Sequence, residues 1–345
     1  MFERYRLTRY RLTQKTFIIW PSGQRTRWTI RPYSECGFVV HFADRLATAL
    51  RRLASPVCVG LDPRWEQLPE SFRGTGGGSF SAKAEAYKRF CNSVSDIVAQ
   101  LVPLVKVQAA FFEELGPAGM AAMGEVIAHA QGQGLLVIVD GKRNDIGSTA
   151  LAYARGYLGR DASAWQADAL TVSPYLGDDS LAPFVEVARQ RGAGVFVLVK
   201  TSNPGGRLWQ DLQCDGRPLY HHVAEHVDGL ATATNGECGY GSICAVVGAT
   251  YPAQLAELRA AMPHTWFLVP GYGSQGGTAR AVVGAFDSRG LGAIINNSRG
   301  IVFAHERPEY AARFGASRWQ DAVEAATRQM IEELRAGGWG LGTGG

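Results

Sequence analysis

The chain has 345 residues, 46% of them hydrophobic and 19% charged, and a formal net charge of +4. This composition is typical of a globular protein with a large core, and it argues against disordered and fibrous classes. No apolar run is long enough to span a bilayer, and no basic stripe with interleaved aromatic residues indicates nucleic-acid binding. We therefore expect an enzyme whose partners include neither a membrane nor a nucleic acid.

The positive charge is concentrated at the start of the chain. Residues 1–40 contain seven Arg and one Lys against only Glu3 and Glu35, which leaves the remainder slightly acidic. We interpret residues 1–40 as a poorly ordered extension or as sequence upstream of the true start, with a targeting role as the alternative. A single catalytic domain is predicted over residues 41–336, and a Gly-rich tail, residues 337–345, is expected to fray.

The six cysteines form no C-x-x-C pair and show no His spacing suited to zinc. Free thiols in a reducing compartment are the simplest interpretation, so a cytoplasmic location is expected. Cys58 and Cys244 lie inside apolar runs and are predicted to be core residues.

Eight short apolar runs follow one another from Val57 onward. The predicted strands are residues 57–62, 104–108, 135–140, 169–174, 194–201, 243–248, 266–271 and 293–298, and helical patterns occupy residues 82–101, 119–131, 181–191, 219–233, 253–261 and 317–336. Continuous apolar runs are typical of parallel strands that helices cover on the outside. The rhythm predicts an α/β fold, a (β/α)8 TIM barrel; the alternative is a doubly wound open sheet, whose glycine fingerprint is missing after Val57.

Polar residues come at the carboxyl ends of the predicted strands, where barrel enzymes carry their chemistry. They are Asp62, Lys106, Asp140, Lys142, Ser202, Gln275 and Arg299. Two unusually long loops, residues 63–81 and 203–218, are expected to act as lids or binding segments.

The sequence D-G-K-R-N-D, residues 140–145, places charges where a strand passes into a helix. Asp140 and Lys142 point the same way while the chain stays extended, Lys106 ends the neighbouring strand, and Asp145 lies beyond the strand. A lysine flanked by carboxylates stays protonated, so it can stabilise a developing carbanion and then donate a proton. A structural salt-bridge network at the barrel rim is the alternative interpretation.

Two glycine-containing segments indicate ligand contacts, although each is also compatible with a simple turn. P-G-Y-G-S-Q-G-G, residues 270–277, exposes backbone N–H groups to an anion, and Arg299 follows the eighth strand. Because the loops after strands seven and eight commonly form a phosphate site, Arg299 and Gln275 are candidate phosphate ligands. K-T-S-N-P-G-G places Ser202 and Asn203 where a hydroxyl and an amide can bind an amide-bearing heterocycle.

Taken in order, the motifs resemble the orotidine 5′-phosphate decarboxylase family, in its longer bacterial (type 2) branch. The resemblance runs from about Phe42 to Phe303 and rests on F-A-D-R-L, V-G-L-D-P-R, D-G-K-R-N-D-I-G-S-T-A, S-P-Y-L-G-D-D-S-L, K-T-S-N-P-G-G, V-G-A-T-Y-P, P-G-Y-G-S-Q-G-G and N-N-S-R-G-I. Gly141 and Asn144 stand where the family pattern would have Ala and Gly, and residues 1–40 have no counterpart in it.

The resemblance implies decarboxylation of orotidine 5′-monophosphate to uridine 5′-monophosphate, the last step of de novo pyrimidine nucleotide synthesis, without a metal or an organic cofactor. It implies a catalytic set of Lys106, Asp140, Lys142 and Asp145, in which Lys142 protonates C6 and Asp140 lies near the leaving carboxylate. It further implies a homodimer with shared active sites, in which Asp145 acts across the interface.

The resemblance also implies a substrate-binding set: Asp62, Ile146, Thr149, Ser202, Asn203, Gln275, Gly276 and Arg299. In this set Asp62, together with Lys106, would hold the ribose hydroxyls. Two alternatives remain at the level of sequence: a metal-dependent sugar-phosphate lyase or synthase on the same barrel, and a non-catalytic sensor of a phosphate ligand.

Overall fold

In the computed structural model of the chain, the structure describes residues 40–73, 78–160, 162–273 and 277–342. The prediction for residues 1–40 therefore lies outside the described residues except at Val40. The predicted phosphate ligand Gln275 and the predicted substrate-binding residue Gly276 also lie outside them.

The eight predicted strands form a closed parallel barrel. The strands are β1 (Val57–Leu61), β2 (Leu104–Gln108), β3 (Leu136–Arg143), β4 (Ala169–Val172), β5 (Gly194–Lys200), β6 (Ile243–Val247), β7 (Phe267–Val269) and β8 (Ala293–Asn297). Each strand pairs with its neighbours in the chain, and β8 pairs with β1, with Val57 opposite Ile295. This closure confirms the TIM barrel and shows that the doubly wound alternative is wrong, because an open sheet would have two edge strands, each paired on one side only.

Helices alternate with these strands on the outside of the barrel. Those of ten residues or more in the described part are α1 (Phe42–Leu53), α2 (Phe80–Val98), α3 (Gly116–Gly132), α4 (Gly147–Tyr157), α5 (Asp178–Arg191), α6 (Leu219–Thr232), α7 (Pro252–Ala261) and α8 (Trp319–Ala336). Shorter helices are Glu70–Arg73, Ala109–Glu113, Arg207–Gln210, Ala279–Val282, Arg299–Val302 and Pro308–Phe314. None of the described helices combines the length and the apolar character needed to cross a membrane.

The strands are buried on both faces, which explains their continuous apolar sequences. All five residues of β1 and all five of β8 are buried, because inward side chains fill the barrel and outward ones lie under helices. Burying one Val, Leu or Ile side chain contributes about 2 kcal/mol. Cys58 and Cys244 are fully buried, as predicted, and burial raises the pKa of the Cys58 thiol to about 12.

Helix α1, which the strand and helix patterns did not predict, covers the amino end of the barrel. Phe42 at its start is fully buried and meets Phe196 of β5 edge to face, with ring centroids 6.0 Å apart. A Cβ atom at Gly194 would lie only 2.5 Å from the Phe42 ring, so only glycine leaves room for this contact. Helix α1 therefore packs across the amino end of the barrel, opposite the carboxyl ends of the strands that carry the predicted site.

The expectation of a frayed tail is wrong for the described residues after α8. Trp339 is 4% exposed, and its indole N–H donates a 3.0 Å hydrogen bond to the carbonyl of Gly290. Burial of the Trp339 side chain removes a large apolar area from water. This gain in free energy exceeds the entropic cost of ordering the surrounding glycines.

Candidate active site

Four charged side chains form a continuous chain at the carboxyl end of the barrel, in the order Asp62, Lys106, Asp140, Lys142. The Lys106 ammonium lies 3.5 Å from Asp62 Oδ1 and 3.1 Å from Asp140 Oδ2. The Lys142 ammonium lies 2.6 Å from Asp140 Oδ1. The structure therefore brings together three of the four predicted catalytic residues and adds Asp62 to them.

Both carboxylate oxygens of Asp140 are occupied by further donors. Oδ1 accepts a 2.9 Å hydrogen bond from the Thr171 hydroxyl, and Oδ2 accepts a 3.1 Å hydrogen bond from the Gln108 amide. Two ammonium groups and two neutral donors thus surround one carboxylate. This environment fixes both the position and the charge of Asp140.

The surrounding charges determine the protonation states of the buried pair. Burial alone would raise the pKa of Asp140, but the charges of Lys106 and Lys142, with the hydrogen bonds from Lys142 and Thr171, hold that pKa well below its usual range. Burial would likewise lower the pKa of Lys106, and the Asp62 and Asp140 carboxylates raise that pKa above its ordinary value. Asp140 is therefore ionised and Lys106 protonated at neutral pH.

The backbone conformation that brings the Lys142 side chain to Asp140 was not predicted from the sequence. Its φ of 44° lies in the left-handed region, and the register between β3 and β4 shifts between Val139 and Arg143. The extended backbone assumed in the sequence argument is therefore wrong at this residue. The conformation costs on the order of 1 kcal/mol for a non-glycine residue. The Lys142 backbone N–H donates a 2.9 Å hydrogen bond to the Thr171 hydroxyl, which helps to hold the irregular turn.

Lys142 differs from Lys106 in its access to solvent. The Lys142 side chain is 49% exposed, whereas that of Lys106 is 5% exposed. Lys142 can therefore exchange protons with a ligand or with water while its ammonium stays paired with Asp140.

Asp62 has an unused acceptor in the site. Its Oδ1 atom is buried, and no described residue donates a hydrogen bond to it, although Lys106 lies nearby. The Ser298 Oγ atom, directly after β8, is likewise buried and has no hydrogen-bond partner among the described residues. Both atoms lie close to Gly60, where a Cβ atom would stand 3.2 Å from Asp62 Oδ1 and from Ser298 Oγ. The glycine keeps this corner open, and a ligand hydroxyl could satisfy these atoms.

Asp145 is not part of the charged chain within one subunit. Its carboxylate accepts a 2.8 Å hydrogen bond from the Ile146 backbone N–H and forms no ion pair with any described residue. Ile146 and Thr149, in the segment that opens α4, are exposed, Ile146 by 56%. None of these three predicted residues forms a hydrogen bond or an ion pair with Asp140 within the described part of one subunit.

Ser202 and Asn203 begin the long loop after β5. Lys200, the last residue of β5, is buried and forms an ion pair with Asp211 in the middle of this loop. Gln210 makes a second tie by donating a 2.8 Å hydrogen bond to the hydroxyl of the residue after Lys200. The loop is therefore held at the barrel mouth, although neither Ser202 nor Asn203 contacts the charged chain among the described residues.

Arg299 lies exposed at the start of the short helix after β8. It lines a cavity of about 600 Å³ together with Tyr272, Asn297 and Glu333. Within the described part of the chain its guanidinium forms no ion pair, so its planar donor group is available to an anion.

Two residues of the site were missed in the sequence. Gln108 stands two positions after Lys106 in L-V-K-V-Q, and the two-residue period of a strand could have placed it on the same side as Lys106. Thr171 is the polar residue in A-L-T-V of β4, a run too short for periodicity to show which face it occupies.

The sequence matches the model of the Orotidine 5'-phosphate decarboxylase / HUMPS family over residues 55–314. The chain belongs to this family. A protein of Rhodopirellula baltica named orotidine 5'-phosphate decarboxylase is 59% identical over 302 residues, which are 85% of this chain and 99% of that protein. A protein of the same name from Deinococcus radiodurans is 42% identical over 286 residues, covering 83% and 97% of the two chains.

A solved structure supports the same relation. OMP decarboxylase of Leishmania donovani aligns with a TM-score of 0.67 and 34% sequence identity, over 86% of this chain and 98% of that chain. The family predicted from the motifs is thereby confirmed, and the two bacterial relatives agree with the predicted bacterial branch.

The geometry of this family member gives no support to the metal-dependent alternative. The described residues contain no group of three or more His, Cys, Asp or Glu side chains placed to hold one ion. Asp140, which that alternative would use as a ligand, already has an ammonium group against each of its oxygens. A divalent cation would have to displace these charges.

Proposed function

We propose that this chain decarboxylates orotidine 5′-monophosphate to uridine 5′-monophosphate, the last step of de novo pyrimidine nucleotide synthesis, and that Lys142 protonates C6 without help from a cofactor. The observation that carries the proposal is the chain from Asp62 through Lys106 and Asp140 to Lys142, located at the open end of this family's barrel.

The chemistry requires a fixed positive charge. When carbon dioxide leaves, the bond between C6 and the carboxylate carbon breaks, and its electron pair stays on C6, where the ring delocalises it poorly. An ammonium held in place before the reaction stabilises this charge without reorganisation. Lys142 then gives a proton from Nζ to C6 and regains one from solvent through its exposed side. Asp140, kept ionised by its neighbours, destabilises the substrate carboxylate by repulsion.

Groups around the mouth would bind the rest of the substrate. The unused oxygen of Asp62 and the ammonium of Lys106 suit ribose hydroxyls, and Ser202 with Asn203 suits the pyrimidine amide. The available guanidinium of Arg299 suits the phosphate, which Gln275 would also contact, and Gly276 belongs to the same substrate-binding set. Binding energy from the phosphate would help to close the loops and exclude water from C6.

The direct test mixes the purified protein with orotidine 5′-monophosphate and follows the ultraviolet absorbance of the substrate. We expect the substrate band to disappear, at a rate that exhaustive treatment with a chelator leaves unchanged. Lys142→Ala should lower kcat about 10³-fold or more and still bind uridine 5′-monophosphate. Near-normal turnover by this variant would remove Lys142 as proton donor, and loss of activity in chelator would favour the metal-dependent alternative.

A homodimer with shared sites is part of the same proposal. Asp145 lacks an ion-pair partner among the described residues. The side chain of the adjacent Ile146 is 56% exposed, and that of Tyr175, three residues before α5, is 81% exposed. Helices α4 and α5, which follow these residues, pack against each other. A second copy that covered this face would remove apolar area from water and could bring Asp145 to the neighbouring Lys142.

Mixing inactive variants tests the shared site. Asp145→Ala and Lys142→Ala subunits, each inactive alone, should on mixing give about a quarter of the wild-type rate, because half of the dimers would contain one intact site. Lys106→Ala mixed with Lys142→Ala is the matched control, since both changes fall in one subunit's half of the site. Equal behaviour of the two mixtures would argue against the cross-subunit role.

The domain and location remain proposals of the same kind. The barrel, its helices and the proposed site residues lie within residues 41–336, which we propose as the catalytic domain. The described cysteines are all unpaired, which supports a reducing, cytoplasmic location.

A further inference from the structure

Arg143 follows Lys142 directly, and its guanidinium contacts several other residues. Its guanidinium forms an ion pair with Glu113, donates a 3.2 Å hydrogen bond to the Tyr157 hydroxyl and donates a 3.0 Å hydrogen bond to the Gly141 carbonyl. It also lies 5.7 Å from the ring centroid of Tyr153. The side chain is 19% exposed. Arg143 therefore joins the end of β3 to the helix after β2 and to α4.

One of these hydrogen bonds spans Lys142, the proposed proton donor, because it joins the residues on either side of it. Because the Arg143 guanidinium binds the carbonyl of Gly141, the backbone on either side of Lys142 is tied together through this side chain. A Cβ atom at Gly141 would lie 3.4 Å from the guanidinium carbon, which shows how closely the group packs on that backbone. Lys142, with its φ of 44°, is the residue in between.

The backbone of Arg143 is fixed as well. Arg143 pairs with Val172 of β4 after the register shift, and its carbonyl accepts a 3.1 Å hydrogen bond from the Ser173 N–H. On the opposite side of the turn, Asp140 is in register with Gln108 of β2. Lys142 is thus held in a left-handed conformation between two anchored neighbours.

We propose that Arg143 is a positioning residue, anchored by Glu113, which keeps the left-handed turn at Lys142 formed and so aims the Lys142 ammonium at Asp140 and at C6. Without the guanidinium, the turn is free to relax toward an extended backbone, which redirects the Lys142 side chain. The inference rests on the proposed decarboxylation, because its test measures proton transfer from Lys142 to C6.

The test compares Arg143→Met with wild type and with Arg189→Met, a matched control. Arg189 is an exposed arginine of α5 whose ion-pair partner among the described residues is Glu186 of the same helix. Four quantities are measured: kcat per folded binding site, KM, affinity for uridine 5′-monophosphate, and the enzyme-catalysed exchange of the C6 hydrogen of that product in D2O. Exchange reports proton transfer at C6 separately from departure of carbon dioxide.

We expect Arg143→Met to lower kcat and C6 exchange together by about 100-fold, with KM and product affinity within about threefold of wild type. Arg143→Lys should recover part of the loss, since an ammonium can bind Gly141 or Glu113 but not both in a fork. Arg189→Met should match wild type.

Two results would overturn the role of Arg143. One is a kcat per folded site and an exchange rate within about twofold of wild type in Arg143→Met. The other is a loss confined to thermal stability and to the fraction of folded protein. If Arg143→Met does not fold, Glu113→Gln removes the anchor alone, and an unchanged kcat in that variant contradicts the proposal.

A failure of the positioning role of Arg143 can be distinguished from a failure of the proposed function. A wild-type protein that neither consumes the substrate nor exchanges the C6 hydrogen contradicts the decarboxylase assignment itself. An active wild type with an equally active Arg143→Met leaves the assignment intact and removes only the positioning role.

Discussion

Two buried aspartates in the described part of the barrel, one at each end, have nearly the same surroundings. At the carboxyl end, Asp140 contacts two lysines and two neutral donors. At the amino end, Asp168 directly precedes β4 and contacts Arg45 at 2.5 Å and Arg160 at 2.8 Å. Asp168 Oδ2 also accepts hydrogen bonds from the Val137 backbone N–H at 2.9 Å and from a Gln side chain.

The difference between the two clusters lies in the cations. Arg45 and Arg160 also bind the carbonyls of Gly192 and Leu135, so each guanidinium ties a loop to the floor of the barrel. An arginine does not give up its proton in a protein, whereas a lysine can. The arginine cluster is suited to hold the structure together, and the lysine cluster is suited to move a proton.

The largest effect is expected when an arginine replaces a lysine in the cluster at the carboxyl end of the barrel. Lys142→Arg keeps a positive charge beside Asp140, but it cannot donate a proton to C6. We expect kcat to fall about 10³-fold or more, with little change in the melting temperature. Steady-state assays and thermal unfolding of the same preparation check this, and activity within tenfold of wild type would mean that charge alone suffices.

The reciprocal change removes the anion at the amino end. Asp168→Asn leaves Arg45 and Arg160 without their carboxylate in a site where Asp168 is fully buried. We expect the free energy of unfolding to drop by about 3 kcal/mol, because the arginines lose their counter-charge. Urea titration measures the drop, and kcat of the protein that remains folded should match wild type.

The pH dependence of stability sharpens the comparison at Asp140. Since its pKa is lowered by folding, Asp140 contributes stability above the unfolded pKa of about 3.9, and the contribution is lost as the pH falls toward the folded pKa. The difference in unfolding free energy between wild type and Asp140→Asn should therefore be constant from about pH 7 to 5 and shrink below about pH 4. A difference that grows on acidification would contradict the inferred ionisation.

The smallest effect concerns the shape of the cation at the amino end. Arg160→Lys keeps the charge but loses the fork that binds both Asp168 oxygens and the Leu135 carbonyl. We expect a loss of about 1 kcal/mol in unfolding free energy and no change in kcat. Arg189→Lys, on an exposed arginine, serves as the control and should show neither change.

Particular residues show how far the sequence could go. The continuous apolar runs predicted every barrel strand, and the polar residues after them predicted Asp62, Lys106, Asp140 and Lys142 as one site, because parallel strands end at one edge. Gln108 was equally readable from its spacing to Lys106. The left-handed turn at Lys142 was not, since the residue is not a glycine and nothing local favours that conformation.

The sequence by itself determined that this chain forms a barrel and which charges stand at its open end, because local hydrophobic pattern and the direction of parallel strands suffice for both. Only the tertiary structure decided which donors surround Asp140, how the register shift turns Lys142, and that Arg143 reaches Glu113 and α4. These contacts join elements far apart in the chain, and their geometry depends on strand register and on packing between helices, which no single segment encodes.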